Sequence, residues 1–209
     1  MPVAIIVGID GVGKSALIEL IKGHNRNSYV KAHVVVRDPN VAKDSPGSTV
    51  LAAAEQIRQW GTFSRDNRLH LYDRFPFPDE YVYGPLFGGS AIREQDLDLW
   101  DCIMESHGVK FVYIRPEGWD PETSTNLEKY CARMADDPDP HVNVHNGNVA
   151  QKILERYENI RERSSVPWLL LNYKWFTSAD AQRVFKWILQ PRHRDVGVLS
   201  TKAEATSEC

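Results

Sequence analysis

Cysteine is scarce in this chain: Cys102, Cys131 and Cys209 are the only three among 209 residues. An odd number without close pairing gives no disulfide framework, and a reducing cytoplasmic setting is expected. Cys131 with His141 and His145 offers too few thiolates for a tetrahedral metal site. Long apolar runs are also missing. None approaches the roughly 18 residues of a membrane span, so no membrane partner is expected. The opening segment, MPVAIIVGIDG, has no basic stretch and no small-residue cleavage site, and reads as a buried strand rather than a signal peptide. Excess charge is lacking too. A net charge of −3 gives no bulk attraction to nucleic acid, although a local basic groove stays open. No internal repeat is evident.

What is present suffices for one compact α/β domain with a sizeable core, since 42% of the residues are hydrophobic and 25% charged. Val3–Val7 is a short β-branched run, as expected for a parallel strand covered on both faces. Leu17, Ile18 and Ile21 set a helical spacing over Lys14–Lys22. Further strands are expected at Tyr29–Arg37, Arg68–Asp73, Val109–Ile114 and Pro167–Asn172. Helices are expected at Ser48–Trp60, Ser90–Gly108, Asn148–Arg163 and Thr177–Leu189, with Ser48 as a candidate N-cap and Gly108 as a stop. That alternation predicts a parallel sheet with helices on both faces. Pro116–Gly147 is long, polar and rich in Asp, Pro and Asn, with one helical piece near Thr125–Met134, and reads as a mobile lid. Pro191–Cys209 is polar and aperiodic and reads as a disordered tail.

The stretch Gly8-Ile9-Asp10-Gly11-Val12-Gly13-Lys14-Ser15 satisfies G-x-x-x-x-G-K-[ST], with a strand before it and a helix after it. Glycines let the backbone turn so that successive N–H groups point inward, and with the helix dipole these donors bind phosphates. Gly8, Gly11, Val12, Gly13, Lys14 and Ser15 are therefore expected to hold ATP. Lys14 would reach the β- and γ-phosphates, and the Ser15 hydroxyl would bind Mg²⁺. The fold class expected is α/β: a three-layer P-loop NTPase with a five-stranded parallel sheet. Asp10 stands out, because a carboxylate inside a phosphate nest is repelled by the triphosphate. It should turn toward a neighbouring pocket, where it can accept a hydrogen bond from a hydroxyl of a second substrate.

Three further pieces follow in order: Arg37-Asp38-Pro39 after the second strand, Asp73-Arg74-Phe75 after the third, and Tyr83-Gly84 within YVYGPL. With GIDGVGKS, this arrangement over roughly Val3–Leu189 resembles the thymidylate kinase family of P-loop nucleotide kinases. The resemblance implies that Asp10 holds the sugar 3′-hydroxyl of a deoxynucleoside monophosphate. It implies that Arg74 grips the phosphate of that nucleotide, and that Asp73 helps organise both Mg²⁺ and the arginine. Arg37 would face the acceptor phosphate, and Phe75 and Tyr83 would line the acceptor pocket, Tyr83 under the sugar or base. Arginine suits the task because its planar guanidinium binds phosphate bidentately. All four motifs fall at carboxyl ends of strands, where open α/β sheets collect ligands.

The chain departs from the family in two places. Pro39–Arg68 is short for the helix that reads thymine in the family, and Trp60, Phe63, Arg65 and Arg68 are the nearest candidates there. RFPFPDEYVYGPLF, rich in proline and aromatics, suggests a reshaped acceptor pocket. Phage-encoded kinases that resemble this family act on other deoxynucleotides, including modified pyrimidines, and related ones on hydroxymethyluracil within DNA. The P-loop has no arginine, so transition-state charge must come from elsewhere. Arg133, four residues from Lys129 on one helical face, is the first choice, with Arg156, Arg161 and Arg163 behind it.

The expectation is thus an ATP- and Mg²⁺-dependent kinase domain over 1–190, with its lid over 116–147. It would phosphorylate a deoxynucleoside monophosphate such as dTMP, dUMP or a modified dUMP. Lys14, Asp73, Arg74 and Arg133 would be the catalytic set, and Ser15 and Asp73 the metal ligands. One alternative acceptor is a hydroxyl on a nucleoside or on a modified base in DNA, with Asp10 or Asp73 as base. Nucleic acid would be a partner only in that case. Another alternative is a P-loop ATPase or switch with no acceptor. A second copy of the chain is a further candidate partner.

Overall fold

The structure is a computed structural model that describes residues 2–24, 29–34, 46–62, 68–86, 92–119, 127, 130–131, 147–173, 176–191 and 198–199. Among the described residues six strands form one sheet: β1 (Val3–Val7), β2 (Val30–Val34), β3 (Leu69–Asp73), β4 (Val109–Pro116), β5 (Trp168–Tyr173) and β6 (Val198–Leu199). Their order is β2-β3-β1-β4-β5-β6, and every neighbouring pair is parallel. The first five are the strands expected from sequence. The sixth is a two-residue edge piece beside Leu170 and Leu171, inside the segment read as a disordered tail.

Parallel strands cannot be joined by tight turns, so each connection crosses over through other elements. The helices are α1 (Lys14–His24), α2 (Pro46–Thr62), α3 (Pro76–Tyr83), α4 (Leu97–Ser106), α5 (Gly147–Arg163) and α6 (Ser178–Leu189). β1 lies between β3 and β4, and all five of its side chains are buried. Burying each such Val or Ile contributes roughly 1.5–3 kcal/mol, which is why this run takes the centre. α1 packs on α6, and its stripe of Leu17, Ile18 and Ile21 is buried. Thr177 caps α6, its hydroxyl accepting from the Asp180 backbone N–H while Asp180 accepts from the Thr177 N–H. At the other end of α6, Lys110 of β4 donates to the carbonyls of Trp187 (2.9 Å) and Gln190 (2.7 Å). A cation there meets the negative end of the helix dipole.

Several boundaries differ from the expectation. α2 begins at Pro46, so Ser48 lies within its first turn and is not the cap. Proline suits that position, because its missing N–H would have no intrahelical partner anyway. α3 is not among the helices expected from the sequence, and it contains prolines at positions 76 and 78. Both fall at the start of the helix, which kinks at Phe77. α4 starts at Leu97 after a short 3-10 turn, Glu94–Asp96, in which Asp96 accepts from the Arg93 N–H (3.0 Å). Ser90, expected at its start, lies outside the described residues. Gly108 adopts a left-handed φ of 71°, as a helix stop requires. Among the described residues no helix is long and apolar enough to cross a membrane.

Candidate active site

The order of the strands places the loop after β1 at the carboxyl edge of the sheet, between the ends of β3 and β4. Gly11 and Gly13 take positive φ values of 71° and 79°, which give the loop its inward turns. Gly8 is required for a second reason. At its φ of 144°, a Cβ would lie 2.2 Å from the Ile114 carbonyl oxygen of β4. Only a glycine lets the loop pass this close to the neighbouring strand. Val12 is buried, so only its backbone can serve a ligand.

Lys14 opens α1 and is 7% exposed. Its ammonium donates to the carbonyls of Gly8 (3.0 Å) and Ile9 (2.9 Å) and stands 3.8 Å from the Asp10 carboxylate. Burial pulls its pKa down to about 8, against the opposing pull of Asp79 and Asp73. The next residue, Ser15, donates its hydroxyl to Asp73 at 2.5 Å. Two hard oxygen donors from different elements meet there, a hydroxyl and a carboxylate. That donor set fits Mg²⁺, which takes few protein ligands and completes its shell with water and phosphate oxygens.

Arg74 is the only non-glycine among the described residues with a positive φ, at 69°. Left-handed backbone costs an ordinary residue roughly 1–2 kcal/mol. Here the turn is held by the Arg74 N–H, which donates to Ile6 of β1 at 3.1 Å. The result is a guanidinium bridging two acids. Nη2 pairs with Asp10 of the phosphate loop, and Nη1 donates to Asp79 of α3 at 2.8 Å. The same group lies 5.2 Å above the Tyr83 ring. The Asp10 carboxylate thus stands between two cations, Arg74 at the end of β3 and Lys14 of its own loop.

Phe75 and Tyr83 lie behind this arginine. Phe75 is 1% exposed and packs in a cluster with Trp60 and Tyr72, with ring centroids 5.2 and 5.6 Å away. Tyr83 is 3% exposed, and its hydroxyl donates to Gly8 at 3.5 Å. Both were expected at the acceptor surface. Both rings belong to the buried core, and Tyr83 lies directly under Arg74. Trp60, a candidate base reader, is buried and donates its indole N–H to Tyr72 at 2.7 Å. Arg37 and Arg133 lie outside the described residues, as do Phe63, Arg65 and Lys129. Arg161 is paired with Glu158 (2.7 Å) and Arg163 with Glu94 (3.0 Å), so both guanidiniums already serve carboxylates. Arg156 donates to the Tyr81 carbonyl at 3.0 Å and lies 4.3 Å from that ring's centroid.

Three residues of the site were not read from sequence. Asp79, which stands beside Arg74, is 5% exposed. Tyr157 of α5 donates to its second oxygen at 2.6 Å. Tyr130, within the segment read as a lid, donates its hydroxyl to the Asp10 carbonyl. The available sequence signal for Asp79 was only an acid six residues after the strand-end Asp73. Nothing in the charged pattern of α5 marks Tyr157.

Comparison with protein-family models finds no match, and neither does comparison with curated protein sequences. Solved structures do match. The YorR protein of Bacillus subtilis, in complex with phosphorylated GDP, aligns at 18% identity and a TM-score of 0.58. The alignment covers 89% of this chain and 95% of that one. Polyphosphate kinase 2 from Arthrobacter aurescens TC1 aligns at 17% identity and a TM-score of 0.51, covering 90% of this chain and 67% of that one. The chain has the fold of the P-loop kinases. These likenesses do not single out the thymidylate kinase branch within it.

Proposed function

We propose that this protein is an ATP- and Mg²⁺-dependent kinase that phosphorylates a deoxynucleoside monophosphate, namely dTMP, dUMP or a modified dUMP-like nucleotide. The observation that carries this reading is the Asp10–Arg74 pair at the rim of the phosphate loop, with Lys14 3.8 Å from the same carboxylate. A second anion-binding cation thus stands one side chain away from the cradle of the triphosphate. A deoxynucleotide carries the two groups that can replace each partner of this pair. Its phosphate can take the place of Asp10 on Arg74, and its 3′-hydroxyl can take the place of Arg74 on Asp10.

The transfer needs little covalent help from the protein. An acceptor phosphate oxygen attacks the γ-phosphorus, the bond to the β–γ bridging oxygen breaks, and ADP leaves with that electron pair. The attacking oxygen is already anionic, so no strong general base is required. Lys14 and the loop N–H groups hold the β- and γ-phosphates, and Arg74 orients the acceptor while offsetting its charge. Ser15 and Asp73 would hold Mg²⁺, whose contribution is neutralisation of phosphate charge.

The test is transfer of labelled γ-phosphate to all deoxynucleoside monophosphates, to modified dUMP analogues and to DNA containing hydroxymethyluracil. Transfer to a free monophosphate supports the proposal. A 2′,3′-dideoxy monophosphate should then be a poor substrate, and Asp10→Asn should shrink that discrimination. A carboxylate accepting from the hydroxyl contributes about 1.5–3 kcal/mol, so roughly tenfold or more in kcat/KM is at stake. Transfer to DNA alone would refute the proposal and assign Asp10 or Asp73 to proton abstraction. ATP hydrolysis without any acceptor would refute the kinase reading altogether.

A further inference from the structure

Asp79 divides its two oxygens between two donors. Oδ2 accepts from Arg74 at 2.8 Å, and Oδ1 accepts from the Tyr157 hydroxyl at 2.6 Å. A carboxylate held by one partner can rotate about its last bond and present either oxygen. The phenol removes that freedom and aims Oδ2 at the guanidinium. Tyr157 is fully buried, and burial, with Asp79 and Tyr83 beside it, holds its pKa well above the usual tyrosine value. It therefore remains a donor throughout the working pH range.

A second route runs from Tyr157 to the same arginine. Its ring meets Tyr83 edge-on, with centroids 6.3 Å apart at 78°, and Tyr83 is the ring beneath Arg74. Tyr157 is itself fixed from behind by the Tyr113 ring of β4, 5.3 Å away. On the adjoining position of α5, Arg156 fastens the helix to α3 through the Tyr81 carbonyl. Arg74 is thus bounded on two sides by groups that lead back to one side chain of α5. That helix directly follows the segment read as a lid, residues 116–147.

We infer that Tyr157 is a positioning residue for the acceptor arginine: through Asp79 and Tyr83 it sets the direction of the Arg74 guanidinium and links the placement of α5 to acceptor binding. The inference rests on the proposed kinase reading for its consequence in catalysis, but the geometric part stands apart from it.

Tyr157→Phe removes one oxygen and keeps the ring. It should raise the KM for the acceptor monophosphate about tenfold, the scale of one lost hydrogen bond to an ionised group, while the KM for ATP stays within about twofold. In an Arg74→Ala background the same change should have no further effect on kcat/KM, because the group it positions is gone. The ¹⁵N–¹H cross-peak of the Arg74 guanidinium, assigned by its loss in Arg74→Ala, should shift or broaden in Tyr157→Phe. An equal penalty in both backgrounds would overturn the inference, since a merely structural role predicts it. So would an unchanged Arg74 cross-peak. If the wild type transfers phosphate to no monophosphate, the kinase reading fails and the cross-peak alone decides the positioning role. If Tyr157→Phe does not fold, 3-fluorotyrosine at position 157 strengthens the donor without altering the shape. The Arg74 cross-peak should then move, and a fixed one overturns the inference.

Discussion

Lys14→Met separates what this lysine does for the fold from what it does for a ligand. The ammonium is 7% exposed, and its pKa falls from 10.5 to about 8, chiefly because burial disfavours the charged form. That depression corresponds to roughly 3 kcal/mol of destabilisation at pH 7, where both folded and unfolded chains carry the proton. Methionine keeps most of the volume and removes this penalty. It also removes the hydrogen bonds to the Gly8 and Ile9 carbonyls, at about 1 kcal/mol each. These opposing contributions are of similar size, so Lys14→Met should lie within about 2 kcal/mol of the wild type at pH 7, while phosphoryl transfer is lost. The pH dependence gives an independent sign. Between the folded value of about 8 and the unfolded 10.5, the unfolded wild-type chain binds more protons, so its stability should rise with pH across that window. The variant should lack that rise. Urea unfolding at pH 7 and pH 10 on both proteins measures the two effects together. A variant that is at least about 2 kcal/mol less stable at pH 7, with the rise still present, would show that Lys14 is not the strained charge described here.

Two other perturbations test the frame around the site. Gly8→Ala places a Cβ 2.2 Å from the Ile114 carbonyl oxygen in a backbone conformation that side chains rarely adopt. Clash and strain together should destabilise the protein by about 3 kcal/mol in urea unfolding; a loss under about 1 kcal/mol would mean the loop does not approach β4 so closely. His33 is kept neutral, its pKa lowered to about 4 by burial first and then by His70, Lys31 and Arg68. Its folded value lies below its unfolded 6.5, so wild-type thermal stability should decline as pH falls from 6.5 toward 4, and His33→Gln should flatten that decline. Equal slopes in melting temperature would remove His33 from the account.

Sequence by itself determined the parts of this protein whose physics is local. The β-branched run of Val3–Val7 must be buried on both faces, and the glycines that follow it must turn. Those two requirements place a phosphate cradle at the end of a central strand before any tertiary contact is known. Asp10 stands out in the sequence for the same reason, as a carboxylate among amides suited to phosphate. Lys14, Ser15, Asp73 and Arg74 came together as their strand-end positions implied. Tertiary structure decided what depends on which surfaces are covered. Phe75 and Tyr83 look like pocket aromatics in the sequence, yet both rings are buried in the core, Phe75 against Trp60 and Tyr72 and Tyr83 under Arg74. Nothing in the sequence marks Asp79 as buried, and the Tyr157 hydroxyl that reaches it comes from α5, 78 residues further on. α3 carries two prolines, which a helix accepts at its start and not in its interior. Periodicity and motif spacing report the chain's own geometry. They carry no record of which distant side chain will close over a carboxylate, and that choice orients the arginine on which acceptor binding is proposed to depend.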